Sequence, residues 1–120
     1  MITERELQEL VDFESEEGTV LSLYLNVDPT QRSKDEYKLT LRGLLKEVAD
    51  KASPQDVAEI ERYFDFEYDW QGKGVALFSC LQDDFWQAYP LAVPVENQVF
   101  VSQKPYIKPL TDLLDMYDRF

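Results

Sequence analysis

Histidine is absent from these 120 residues, and with it go the usual general base, the commonest zinc ligand and the imidazole of a nucleophilic triad. The single cysteine, Cys80, can form no internal disulfide and builds no metal site alone; inside an apolar run it reads as a small core residue. Only four glycines are present, and Gly72-Lys73-Gly74 makes no phosphate loop. It is too short, lacks the following Lys-Ser/Thr, and precedes a strand instead of opening a helix. Apolar runs fall far short of the roughly 18 residues of a membrane span, and Met1 to Glu6 lacks the apolar centre of a signal peptide. A cytoplasmic protein with no membrane partner is expected. Positive charge is scarce too: 12 Lys and Arg stand against 24 Asp and Glu. Such a surface repels nucleic acid at long range, so a DNA or RNA binder would need its cations gathered in one place. Glu16-Glu17 and Asp83-Asp84 are adjacent pairs in turns, whereas metal-dependent hydrolysis needs carboxylates converging from separate elements. No catalytic residue, cofactor or metal is expected, and therefore no enzyme within this chain.

What is present suffices for one core. With 44% apolar and 13% aromatic residues, a chain of this length buries about two thirds of its unfolded surface, enough for a single domain over 1–120. The centre of the pattern is Gly72 to Leu91. There Val75-Ala-Leu-Phe-Ser-Cys-Leu81 is followed by Gln-Asp-Asp and then Phe85-Trp-Gln-Ala-Tyr-Pro-Leu91. An unbroken apolar run, a short polar turn and a second run predict a central hairpin whose first strand is covered on both faces.

Thr3 with Glu6 predicts a capping box, Ile2 with Leu7 a hydrophobic staple, and Leu7, Leu10 and Val11 a core-facing stripe on a helix ended by Gly18. Val20 to Val27 alternates Leu21, Leu23, Leu25 and Val27 with Ser22, Tyr24 and Asn26, predicting a strand with one face more deeply buried than the other. Asp28-Pro29 stops it. Ser33 and Glu36 make a second capping box before the longest helix, which turns Tyr37, Leu41, Leu44, Leu45, Val48 and Ala52 inward. Ser53-Pro54 opens a third helix carrying Val57, Ile60 and Phe64 inward. After the hairpin, Pro90 and Pro94 suit an edge or crossover, and Val99 to Val101 form a last strand. Lys104 to Pro109 turns into a terminal helix presenting Leu110, Leu113, Leu114 and Tyr117 to the core. The fold class is α+β: a mixed, largely antiparallel sheet of about four strands with helices packed on it.

Two sets of residues are candidate contacts. Lys34, Lys38, Arg42 and Lys46 recur every four positions on the second helix with Arg32 just ahead, so five of the twelve cations fall within fifteen positions. They make either a dedicated contact surface for phosphate or a solvated face paired with Asp35, Glu36 and Glu47. The second set is the acidic connector holding Tyr63, Phe64, Phe66, Tyr68 and Trp70. Its rings either close the core over the hairpin or, through Tyr63, Tyr68 and Trp70, bind a protein.

Four stretches, in order, carry a resemblance: Val20-Leu-Ser-Leu-Tyr-Leu-Asn-Val-Asp-Pro29, Gly72-Lys-Gly-Val-Ala-Leu-Phe-Ser-Cys80, Phe85-Trp-Gln-Ala-Tyr-Pro-Leu-Ala-Val-Pro-Val95 and Lys104-Pro-Tyr-Ile-Lys-Pro-Leu-Thr-Asp-Leu-Leu114. Together they resemble the N-terminal domain of bacterial and archaeal proteins related to the archaeo-eukaryotic class I peptide chain release factors. The resemblance implies a sheet with helices packed on it. The Asn-Ile-Lys-Ser and Tyr-x-Cys-x-x-x-Phe patterns by which true release factors read stop codons are absent, as is the Gly-Gly-Gln of peptidyl-tRNA hydrolysis, which the family carries in its next domain. The resemblance thus implies an isolated N-terminal domain of a longer protein, without decoding or hydrolysis of its own. Two functions are open: a module that docks its parent on the ribosome or tRNA through Arg32, Lys34, Lys38, Arg42 and Lys46, or an acidic protein-interaction or regulatory domain with no nucleic-acid partner.

Overall fold

The computed structural model describes residues 2–118, with side chains through residue 114. Four strands, β1 (Val20–Asn26), β2 (Gly74–Cys80), β3 (Phe85–Leu91) and β4 (Gln98–Ser102), form one sheet in the order β3-β2-β1-β4. Every pairing is antiparallel, so the sheet contains no parallel neighbour. The expected hairpin forms: Gly74 pairs with Leu91 and Cys80 with Phe85 across a 3₁₀ turn, Leu81–Asp83, that Asp84 closes at φ 58°. It is not central, however. β3 lies at an edge, which is where Pro90, unable to donate a ladder hydrogen bond, can be accommodated. The middle of the sheet is β2 beside β1.

Helices α1 (Glu4–Asp12), α2 (Lys34–Glu47), α3 (Pro54–Arg62) and α4 (Lys108–Asp118) cover both faces. On one face Leu21, Leu23, Leu25, Val75 and Leu77 pack with Tyr37, Leu41 and Leu45 of α2 and Ile60 of α3. On the other, Val20, Tyr24, Ala76, Phe78 and Cys80 pack with Leu10 of α1 and Leu110 of α4. Among the described residues no helix is long and apolar enough to cross a membrane.

β1 departs from its predicted pattern. Its second face is as deeply buried as its first through Tyr24, leaving only Asn26 part-exposed, because the polar groups of Ser22 and Tyr24 are used. The Tyr106 N–H donates to Ser22 Oγ at 3.0 Å, and the Tyr24 hydroxyl donates to the Tyr106 carbonyl. One residue of the approach to α4 is thereby held at both main-chain groups by side chains two apart on a single strand, which removes the usual penalty for burying them. In the opening helix the Thr3–Glu6 capping box is present, and Ile2 and Leu7 pack against the same core as Leu10. α1 nevertheless ends at Asp12, six residues before Gly18, and leaves Val11 exposed. Phe13 turns out of the helix to stack on Phe85, centroids 3.9 Å apart. In α4, Leu113 and Leu114 are half-buried against the core, while the Tyr117 side chain lies outside the described residues.

α3 is tied to the sheet by a buried carboxyl group. Ser53 makes no capping hydrogen bond of its own, and Asp56, three residues on, turns toward β2. Its Oδ1 accepts from the Ser79 hydroxyl at 2.6 Å and from the Leu81 N–H at 2.9 Å. Gly74 is required by crowding: a Cβ there would stand 2.6 Å from the Val93 carbonyl oxygen.

Candidate functional site

The corner leading into α2 is built by Asp28. Its Oδ1 accepts from the Thr30 N–H at 2.9 Å and the Thr30 hydroxyl at 2.7 Å, and these bonds hold the carboxyl below the usual range. The Tyr37 hydroxyl donates to the Asp28 carbonyl at 2.7 Å. Ser33 and Glu36 then close the predicted capping box. Strand end, turn and helix start are thus fixed together, and so is the direction in which the cations of α2 leave the helix.

Four-residue steps on a helix of 3.6 residues per turn advance about 40° each, so the basic stripe winds by about 120° from Lys34 to Lys46. The structure accordingly divides it. Lys34 Nζ stands 5.5 Å from the centroid of the Trp70 ring, a cation–π distance. Lys38 Nζ lies 3.0 Å from the Asp65 carboxylate, and its side chain is only 23% exposed. Arg32, Arg42 and Lys46 are exposed and form no ion pair among the described residues. The pairing with Asp35, Glu36 and Glu47 expected of a solvated face does not form; the one lysine that is paired reaches across to the connector.

That connector is a π-helical turn, Tyr63–Glu67, continuing α3 and closed by the Tyr68 N–H donating to the Tyr63 carbonyl at 2.8 Å. The wider i to i+5 spacing sets Tyr63 and Tyr68 on the same side, their rings stacked with centroids 5.9 Å apart. Phe64 and Trp70 complete the cluster, with the indole N–H donating to the Phe64 carbonyl at 3.2 Å. Trp70 has φ 62°, a strained value for so bulky a residue, and its packed, hydrogen-bonded ring holds it there.

Tyr63 and Tyr68 are therefore corrected as candidate protein contacts: at 8% and 7% exposure they belong to the core. Burial pushes Tyr63 up to about 12 and raises Tyr68 as well. Trp70 is half-buried and faces Lys34, bringing one residue from each candidate set together. The ring that does reach solvent is Phe66, 80% exposed. The sequence groups it with its aromatic neighbours, and only the π turn separates it from them. Around it, Arg62 bridges Glu59 and Glu67.

Elsewhere the chemistry is quiet. The Cys80 thiol is buried and its pKa is raised by that burial, the opposite of an activated nucleophile. Ile2, Leu91, Leu113 and Leu114 line an apolar recess of about 290 Å³. Among the described residues no three His, Cys, Asp or Glu side chains are grouped to hold a metal ion. The chain matches no known family model, and no curated protein matches it.

Proposed function

We propose that this chain is a non-catalytic module of a release-factor-like cytoplasmic protein, positioning its parent on the ribosome or on tRNA without reading stop codons. The observation that carries this reading is the state of Arg32, Arg42 and Lys46. In a chain of net charge −12 they remain exposed beside one helix, with no ion-pair partner among the described residues. Cations on a helix and in the turn just ahead of it can neutralise backbone phosphates and release their counterions, whereas Lys34 and Lys38 must first leave Trp70 and Asp65. The four family-like stretches and the order of elements they occupy support the same reading. Exchanging Arg32, Arg42 and Lys46 for Glu together is expected to abolish co-sedimentation with ribosomes and tRNA, while Lys34→Gln with Lys38→Gln leaves most of it. Undiminished binding by the triple variant would refute the proposal.

A second reading, a protein-interaction domain, is favoured by the exposure of Phe66. An aromatic ring projecting among charged side chains has the form of an interface anchor with a polar rim.

A further inference from the structure

Trp70 is held as a fixed plate beside the start of α2. Its indole N–H donates to the Phe64 carbonyl at 3.2 Å, and its ring packs against those of Phe64 and Tyr68, centroids 5.7 and 5.2 Å away. The backbone beneath it has φ 62°, a conformation that costs energy for a bulky side chain and that glycine adopts freely. Strain of this kind gathers at ligand contacts and switches. On its solvent side the ring meets Lys34, whose Nζ stands 5.5 Å from the centroid. Lys34 is itself exposed and has no ion-pair partner among the described residues. A cation–π contact at an exposed site is weak, so a flexible lysine gives way to a planar ligand that covers more of the ring.

The charges about the ring are mixed. Lys34 and, two positions ahead of it, Arg32 are offset by three carboxylates nearby in sequence. Asp69 Oδ1 accepts the Gln71 N–H at 3.1 Å, Asp35 is exposed, and Glu36 Oε1 is turned back onto Ser33. Such surroundings do not select phosphate at the ring itself. They suit an uncharged aromatic plane, with phosphate left to the cations further along. Those cations lie on a path that turns: from Lys34, Arg42 and Lys46 are about 12 and 18 Å along α2 and rotated by about 80° and 120°. A flexible single strand can follow that winding, whereas a straight duplex meets only part of it.

We infer that Trp70 is a stacking plate for an unpaired base, so that the RNA taken by this module is single-stranded. The inference rests on the proposed phosphate contact of Arg32, Arg42 and Lys46 and names the class of RNA that contact serves. A base stacks on Trp70 in place of Lys34, Lys34 swings aside, and the backbone of the strand runs on toward Arg42 and Lys46.

Two tryptophans are present, so the chain carrying Trp86→Phe reports on Trp70 alone through its fluorescence, which a stacked base quenches. Titration with an oligouridylate is expected to quench Trp70 as binding saturates. A blunt RNA duplex of equal length is expected to bind at least about fivefold more weakly and to leave the emission unchanged. Trp70→Leu, in the wild-type background, should lose about fivefold or more on the single strand and nothing on the duplex. Lys34→Gln removes the competitor for the ring, so quenching in that variant should be at least as deep. Equal affinity for single strand and duplex, or saturation with the Trp70 emission unchanged, overturns the stacking, while salt-dependent affinity in the same titrations leaves the phosphate contact standing. Absence of binding to either RNA at low salt overturns both. Because quenching is read on a chain that keeps Trp70, the outcome stands even where Trp70→Leu lowers the melting temperature.

Discussion

Removing the Asp56 carboxylate is the most exacting stability test. The residue is 2% exposed, and a single oxygen accepts both the Ser79 hydroxyl and the Leu81 N–H, fastening α3 to the end of β2. Hydrogen bonds to a charged acceptor contribute about 1.5–3 kcal/mol each, and the desolvation of the carboxylate offsets part of that sum. Asp56→Ala leaves a buried hydroxyl and a backbone N–H without partners, so a loss of about 3 kcal/mol is expected. In urea this moves the midpoint by about 2 M for a slope near 1.5 kcal/mol/M, and it lowers Tm by about 10 °C. Asp56→Asn separates the hydrogen bonds from the charge. Its amide oxygen can occupy the Oδ1 position and keep both donors, so the expected loss is nearer 1 kcal/mol. Combining Asp56→Ala with Ser79→Ala should recover part of the single-variant losses, since the two share one hydrogen bond. If Asp56→Ala costs under about 1 kcal/mol, or the Ala and Asn variants are equally stable, the staple is not what joins α3 to the sheet.

The glycines supply a pair of opposite outcomes. Gly43→Ala should raise stability by about 0.5–1 kcal/mol in thermal melts, because helix propensity improves and nothing is crowded. Gly74→Ala should lower it, by roughly 1–3 kcal/mol, since its Cβ is driven against the Val93 carbonyl. At alkaline pH the tyrosines govern the outcome. Burial holds Tyr24, Tyr63, Tyr68 and Tyr89 above their ordinary value, with Tyr63 and Tyr89 near 12. A group whose folded pKa is raised gives its full stabilisation below the unfolded pKa of about 10 and loses it as pH climbs toward the folded value. Tyrosinate absorbance from these four and loss of circular dichroism should therefore rise together between about pH 10 and 12; ionisation of all seven tyrosines near pH 10 with the fold intact would contradict that burial.

The elements were legible because their local signals are redundant. Thr3 and Glu6, and Ser33 and Glu36, each mark a helix start twice over, and the apolar run from Val75 is too continuous for a half-exposed strand. Legibility failed where a long-range partner changes the meaning of a residue. Ser22 and Tyr24 look like a polar face until the Tyr106 backbone, more than 80 positions away, arrives to satisfy them. The place of β3 at an edge depends on β4 choosing the other side of β1, which the local pattern does not encode. The same limit applies to the candidate contacts. Periodicity placed Lys34, Lys38, Arg42 and Lys46 on a stripe, but Trp70 and Asp65 decide which cations remain free. Burial of Tyr63 and Tyr68 with exposure of Phe66 follows from one π turn, whose i to i+5 register is not visible in a pattern read at 3.6 residues per turn.

The central claim, contact with phosphate through Arg32, Arg42 and Lys46, is tested most directly by the affinity of the unmodified chain for tRNA across a salt series. Three neutralised phosphates predict a slope of log K against log salt of about −2 for unpaired strands, rising toward −3 on duplex. Affinity that falls with that slope supports the contact; affinity indifferent to salt, or no binding at low salt, contradicts it.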